Sequence, residues 1–533
     1  MDFIMQNILT ILIFTPVAGA ILIGFMNKNN EQAIKVLTLA ISLLVFLLSV
    51  PLYFLFDAAN PEMQFTQHLD WIPQWGAYYS IGLDGISLLL VLLTTFTMPL
   101  AVLAAWKGVH RYIKGFMISL LLLDAGMVGV FCARDMLLFY IFWEAMLVPM
   151  YLIIGIWGHE ERIKAAVTFF LYTMAGSLFM LVAILYMYFQ TGAVMAGEVQ
   201  VSAHTFAVDA FYALKLPYES QVLLFWAFAL AFMVKVPMFP FHTWLPLAHV
   251  EAPTTGSVNL AAILLKMGPY GFLRFCIPFF PTVAAEYSPW IIGLALVGII
   301  YGALVAMVQP DAKKLVAYSS VSHLGFVMLG VYAMSIEAWQ GAMLIMIGHG
   351  ISTGALFIMI GMLYDRRHTR LIENFGGLWK IVPIFSAVFM IVCLSSLGLP
   401  GTNGFVGEFL VLLGTFASTI PHAKLYATIA MLGVILAAVY LLWMYQRMIF
   451  GEVHHEENRS LKDLSFREYA MMIPLLVMIF WIGIYPKSFT DKTEATLQKF
   501  LTRYHTAVQQ KEDGGKAART ALPATPKPGA ETP

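Results

Sequence analysis

Lys235-Val236-Pro237-Met238-Phe239-Pro240 is the stretch whose reading decides the fold of this chain. It closes an apolar run, 220 to 241, of the length that crosses a bilayer, and it puts a lysine and two prolines inside that run. Proline has no amide hydrogen to donate, so carbonyls are freed at membrane depth, where irregular backbone survives only if protein or a polar cavity surrounds it. A second interruption, Gly398-Leu399-Pro400-Gly401-Thr402-Asn403-Gly404, breaks another apolar run four residues before Glu408. Prolines and glycines are common in membrane helices, but here an ionisable side chain stands beside each break.

Working outward from these two breaks, apolar runs of about 20 residues recur along nearly the whole chain, and about fourteen can be counted. The runs are 5 to 26, 33 to 56, 82 to 105, 113 to 133, 135 to 157, 163 to 189, 220 to 241, 253 to 280, 289 to 309, 311 to 334, 338 to 364, 382 to 416, 425 to 450 and 469 to 486. Basic residues test the count, because they belong on cytoplasmic connections. Lys28, Lys35, Lys107, Arg111, Lys114, Arg162, Lys164, Lys313, Lys314, Arg366, Arg367, Arg370, Lys380, Arg447, Arg459, Lys462 and Arg467 all fall at or near one set of connections. The other set, the tail aside, carries only Arg134, Lys215, Arg274 and Lys424. This asymmetry predicts an even number of spans, with both termini on the non-cytoplasmic side.

Two five-span blocks, 113–280 and 289–450, each carry their interruption in the fourth helix. An odd number of crossings per block makes the second run in the reverse sense, the inverted repeat of ion-coupled transporters, whose ion sites lie at such breaks. The expected organisation is three leading spans over 1–112, the two blocks, a cytoplasmic loop and last span over 451–486, and a polar, disordered tail over 487–533. The fold class is all-α integral membrane.

Composition agrees: 60% of the 533 residues are hydrophobic, 12% are charged, and mean hydropathy is +0.78. Thirty-one basic residues balance thirty-one acidic ones, so no global field exists to attract nucleic acid. Cys132, Cys276 and Cys393 lie far apart in apolar runs, without disulfide or metal-site spacing. The first span lacks the basic flank and cleavage site of a signal peptide, so it is expected to be retained. There is no Walker or dinucleotide motif, and His454-His455 lacks metal-ligand spacing, so any redox chemistry is expected in partner chains.

The buried charges carry the functional reading. Glu144 follows the start of its run at Asp135 by nine residues, about 14 Å at 1.5 Å per residue, near the middle of a core about 30 Å thick. Lys235, Lys266 and Glu408 are equally deep, and a charge at a helix centre costs about 2.5–3.5 kcal/mol even on the lenient insertion scale. Burial favours the neutral form of each group and pairing opposes that, so a small displacement within a Glu144–Lys235 pair would move a proton. The structural alternative is a fixed ion pair that only sets helix packing. Glu408 could instead accept amide hydrogen bonds where its half-helix opens, and Lys266 could bind freed carbonyls. His323 and His349, on successive helices of the second block, titrate near neutrality and are placed to connect Lys266 with Glu408. His242, just past the first break, is the candidate for the entry side, with His249 nearby. Asp124 is expected to cap or pair locally, and Asp84 to be structural.

Three stretches carry a resemblance: Phe142-Trp143-Glu144-Ala145-Met146-Leu147-Val148-Pro149-Met150-Tyr151; His242-Thr243-Trp244-Leu245-Pro246 with Ala252-Pro253-Thr254-Thr255-Gly256-Ser257-Val258; and Pro400 through Glu408. Over nearly all of 1–486 the chain resembles the antiporter-like membrane subunits of proton-pumping NADH-quinone oxidoreductase, respiratory complex I, and most closely the chain M or subunit 4 type. Cation/proton antiporter subunits and membrane-bound hydrogenase subunits share the first two stretches. Glu408, where sister subunits carry lysine, favours the subunit 4 type. The resemblance implies Glu144 with Lys235 as a modulating pair, Lys266 and the histidines as connecting relay, and Glu408 as the terminal exchange residue. It also implies other membrane subunits as partners, flavin, iron-sulfur clusters and quinone held by partner subunits with no cofactor in this chain, and a bacterial inner membrane location. The polar tail is expected to lack a long lateral helix.

Overall fold

The computed structural model describes residues 2–192, 194–196 and 199–520, with side chains at 4–192, 200–511 and 513. Thirteen of its helices are long and apolar enough to cross a membrane, from Ile8–Phe25 to Phe466–Ile484. The remaining expected span, 382 to 416, is two short apolar helices, Pro383–Ser396 and Asn403–Ala417. Counting that broken one as the twelfth, the spans follow the apolar runs in order.

They form a sleeve around an inner group. The apolar windows of the eighth span (Thr254–Phe279) and the eleventh (Ile336–Arg367) are wholly buried, whereas the second (Glu31–Leu55) is 28% buried and the thirteenth (Ala423–Ile449) 33%. Hydropathy alone does not sort them, because lipid is as apolar as leucine; what the inner helices share is small and polar residues that let neighbours approach.

Both interruptions are present. The seventh span, Tyr218–Lys235, ends on Lys235, and helix resumes as Trp244–Glu251. In the twelfth, the chain leaves helix after Ser396 and re-enters at Asn403. Two further irregularities occur. The fifth span divides into Met136–Ala145 and Leu147–Trp157, just past Glu144. The eighth loosens through a 3-10 turn at Leu264–Lys266 and a π-helical turn at Phe272–Cys276. The division of the fifth span and the 3-10 turn of the eighth each precede a proline, Pro149 and Pro269, whose missing amide leaves the carbonyl of Ala145 or Leu265 without its helical donor.

On the face opposite the basic loops, strands Gln64–Ile72 and Ala77–Leu83 pair antiparallel. Asp84 follows them, capping the third span (Gly85–Gly108) through the Ile86 and Ser87 amides at 3.1 Å and pairing with buried Arg274 at 2.5 Å. Its role is structural, as expected. Asp124 is different: both carboxylate oxygens are buried without a hydrogen-bond partner among the described residues. It sits mid-helix, where the neighbouring amides are consumed by the helix itself and none remains to be capped.

The tail corrects the sequence reading. Lys487–Thr520 is one helix, not disordered chain, and Phe489, Thr493, Thr496, Leu497, Phe500, Leu501 and Tyr504 are buried along it. This stripe recurs at three- and four-residue intervals, so overall polarity concealed an amphipathic face. Thr496 Oγ1 accepts from the Gly85 amide at 3.1 Å, Lys499 pairs with Glu62 at 2.7 Å and Lys511 with Glu286 at 3.1 Å. The last thirteen residues of the expected tail, 521–533, lie outside the described residues.

Candidate functional site

Four of the expected residues lie side by side in one series, hydrogen-bonded at its two ends and joined in the middle by a ring approach. Lys266 stands at the end of the loosened turn of the eighth span, and its Nζ lies 2.6 Å from His349 Nδ1 on the eleventh. The same ammonium also donates to the Ala261 carbonyl, which the irregular turn has freed. The rings of His349 and His323, the latter on the tenth span (Ala312–Tyr332), are 5.7 Å apart. His323 Nδ1 is 3.2 Å from Glu408 Oε1. Lys266 comes from the first five-span block and the other three from the second.

The surroundings suit groups that exchange protons. Lys266 has no exposed surface, and His323, His349 and Glu408 are buried. One side of each acceptor stays open: His349 Nε2 and Glu408 Oε2 have no hydrogen-bond partner among the described residues. They border a small cavity that also reaches Ser352, Thr353, Ser395 and Ser396. Glu408 does not serve as the anion at its half-helix opening, since its one bonded oxygen faces His323. Its free Oε2 lies against the break itself: a Cβ on Gly398, whose φ of +81° already favours glycine, would come within 2.8 Å of it.

Side chains that sequence reading passed over hold the break in place. Ser352 Oγ on the eleventh span is 2.7 Å from Ser395 Oγ on the first half-helix and 3.0 Å from Asn403 Oδ1 on the second. Asn403 Nδ2 donates to the Gly348 carbonyl at 3.1 Å, and Ser395 also bonds Asn403. Both half-helices are thus tied to the helix that carries His349. Tyr440 places its hydroxyl 3.4 Å from His323 Nε2. Asn403 at the opening of a half-helix was the available signal.

The other three expected residues stand apart from this series. Lys235 has no exposed surface, yet neither its Nζ nor Glu144 Oε1 has a hydrogen-bond partner among the described residues, so the expected direct pair is not formed. The ammonium lies instead over the rings of Trp143, 5.3 Å to the centroid, and Phe169, 5.6 Å. Helical geometry explains this: adjacent residues point about 100° apart, so with Trp143 turned onto Lys235, Glu144 points in a different direction, with its Oε1 still buried. His242 is buried between Phe239 and Tyr301, ring centroids 5.7 and 5.1 Å away, with Nδ1 unpartnered. Among the described residues no group of three or more His, Cys, Asp or Glu could hold a metal ion.

A buried Lys–His–His–Glu series between helices of two interrupted blocks defines a class: the proton-handling, antiporter-like membrane subunits. A family model described as "NADH:quinone oxidoreductase/Mrp antiporter, TM" matches residues 133–435, and the chain belongs to that family. Within it, the chain is 46% identical over 513 residues to NADH-quinone oxidoreductase subunit M of Rhodobacter capsulatus, covering 94% of this chain and 98% of that one. It is 44% identical over 481 residues to NADH-ubiquinone oxidoreductase chain 4 of Arabidopsis thaliana, covering 90% and 94%. Among solved structures, a chain of respiratory complex I from Thermus thermophilus with bound NADH superposes with a TM-score of 0.83 at 32% identity, covering 93% of this chain and 99% of that chain. A chain of the Mrp complex from Dietzia sp. DQ12-45-1b gives 0.80 at 17% identity, covering 95% and 99%, a likeness of fold alone.

Proposed function

We propose that this chain is the proton-translocating membrane subunit of an NADH-quinone oxidoreductase, moving protons outward through Lys266, His349, His323 and Glu408 while other subunits pass electrons to quinone. The observation that carries this is the contact series Lys266–His349–His323–Glu408, buried throughout and bordered by a polar cavity. A lysine and a carboxylate at its ends differ in which protonation state burial favours, and two imidazoles between them pass a proton in either direction. Glu408, last in the series, exchanges with the outside. Glu144 and Lys235 form the modulating element: a movement of the divided fifth span brings the carboxylate toward or away from the ammonium and shifts its hold on a proton. The two five-helix blocks are inverted relatives of one another. Flavin, iron-sulfur clusters and quinone are held by partner subunits, and this chain takes part in the enzyme as translocase. It resides in a bacterial inner membrane with both termini outside and the basic loops in the cytoplasm.

The test is His349→Gln in the purified complex reconstituted into vesicles. Glutamine keeps a polar contact toward Lys266 but does not titrate. Protons pumped per NADH oxidised should fall; an unchanged ratio would overturn the reading. The purified complex should contain flavin and iron-sulfur subunits, and sodium-dependent exchange by the chain without them would equally overturn it.

A further inference from the structure

On the face of the basic loops, the ends of the third, eleventh and fourteenth spans and the segment 460–465 enclose an open cavity. Four cations line it, Lys107, Arg366, Lys462 and Arg467, with three carboxylates, Asp365, Asp463 and Glu468.

Hydrogen bonding decides which of these charges are left over. Glu468 is engaged on both oxygens, which meet Arg366 at 2.8 Å, and Oε2 also accepts from the amide and hydroxyl of Ser465. Arg366 gives its remaining N–H groups to the carbonyls of Met362, Lys462 and Asp463. The Asp463 carboxylate accepts from three amides, those of Ile384, Phe385 and Leu464. That leaves Lys107, Lys462 and Arg467 with Asp365. Lys107 and Lys462 are exposed, and neither ammonium has a partner among the described residues. Arg467 donates Nη1 to the Leu103 carbonyl at 3.1 Å and stands 3.9 Å from the occupied Glu468, while its Nε is buried without a partner. Three cations around one free carboxylate repel one another, and an anion held between them by charge-assisted hydrogen bonds removes that repulsion.

The surface beside the cavity indicates which anion. Phe466, 90% exposed, opens the fourteenth span next to it, and the exposed side chains of Ile473, Val477, Phe480 and Ile484 continue along that span. Their spacing of three, four or seven residues puts them on one helical face. Only 33% of the apolar window of this span is buried. A soluble phosphate would use the cavity alone. A phospholipid would use both features, with its phosphate among the cations and its acyl chains on the apolar strip.

We propose that this cavity is a binding site for the phosphate of an anionic phospholipid, whose chains lie along the exposed face of the fourteenth span. The bound phosphate joins the end of the third span, through Lys107, to the start of the fourteenth, through Lys462 and Arg467. None of these residues belongs to the proton series, so the site stands or falls apart from the relay reading.

The test follows amide hydrogen exchange of residues 456–468 in the whole purified complex, held in nanodiscs of phosphatidylcholine with increasing fractions of phosphatidylglycerol. Phosphatidylglycerol should slow exchange in this segment of the native chain. Each basic residue near an anionic headgroup is worth about fivefold in binding, so the double variant Lys107→Gln/Lys462→Gln should bind about 30-fold more weakly. It should therefore gain no protection at fractions that saturate the native chain, whereas Lys314→Gln, at an exposed lysine elsewhere on the same face, should respond like the native chain. Full protection of the double variant would overturn the site. Equal protection by inorganic phosphate in phosphatidylcholine alone would overturn the lipid as its source. Failed assembly of the double variant would show that these lysines support the fold rather than a ligand, and would overturn the site as well.

Discussion

At the scale of single residues, burial decides what a group can do, and sequence reveals burial unevenly. His159, in the connection after the fifth span, has its imidazole pushed down to about 4 by burial, with Lys313 and Arg370 acting in the same direction. The unfolded chain takes up that proton near the ordinary value of 6.5 and the folded chain only near 4, so stability is lost as pH falls through this window and is level above it. His159→Gln should flatten that acid limb in a pH series of thermal unfolding, and an unchanged slope would assign it to other groups. The lysine beside it shows how reading along the chain misleads. Lys313 and Lys314 look alike as loop-flanking basic residues, but the Asp311 cap starts a helix whose first turn points Lys313 inward while Lys314 stays exposed. Lys235, Lys266 and Glu408 were legible because each lies far from any loop. Their partners were not, since partner choice depends on which way a helix is turned: Trp143 faces Lys235, and Glu144, one residue on, does not.

For whole elements, the apolar runs and the proline and glycine clusters placed the spans and both major interruptions, because length and missing amides are local properties. The division after Ala145 and the loosening at Lys266 were written in the same code, a proline three or four residues downstream, but with a single proline each they read as continuous helix. The terminal helix Lys487–Thr520 was missed for the opposite reason. It has too little apolar residue to span a membrane, and only the fold supplies the surface on which its narrow stripe packs. That stripe should matter energetically: Leu497→Ala, at a position with no exposed surface, is expected to cost about 2–5 kcal/mol, read as a lowered thermal midpoint. A chain ended after Lys511 keeps every buried contact described for this helix and should melt at the native temperature; equal midpoints for Leu497→Ala and the native chain would show that the helix is not docked.

For the molecule as a whole, the basic-loop asymmetry and the even number of spans place the loop before the last span and the terminal helix on opposite faces. Lys462→Cys and Gln498→Cys, both at exposed positions, should therefore be labelled by a membrane-impermeant maleimide from opposite sides of sealed vesicles, Gln498→Cys from outside; the native cysteines are buried and give little background. Labelling of both from one side would refute the orientation. The sleeve arrangement also has a bearing on where such a chain can operate. Because the eighth and eleventh spans have no face against lipid, the charges they bear are insulated from the acyl chains much as a conductor is by its sheath. Bilayers differing in thickness or headgroup would then stretch or tilt the outer ring first, leaving the wiring inside electrically unaware of which membrane it is in.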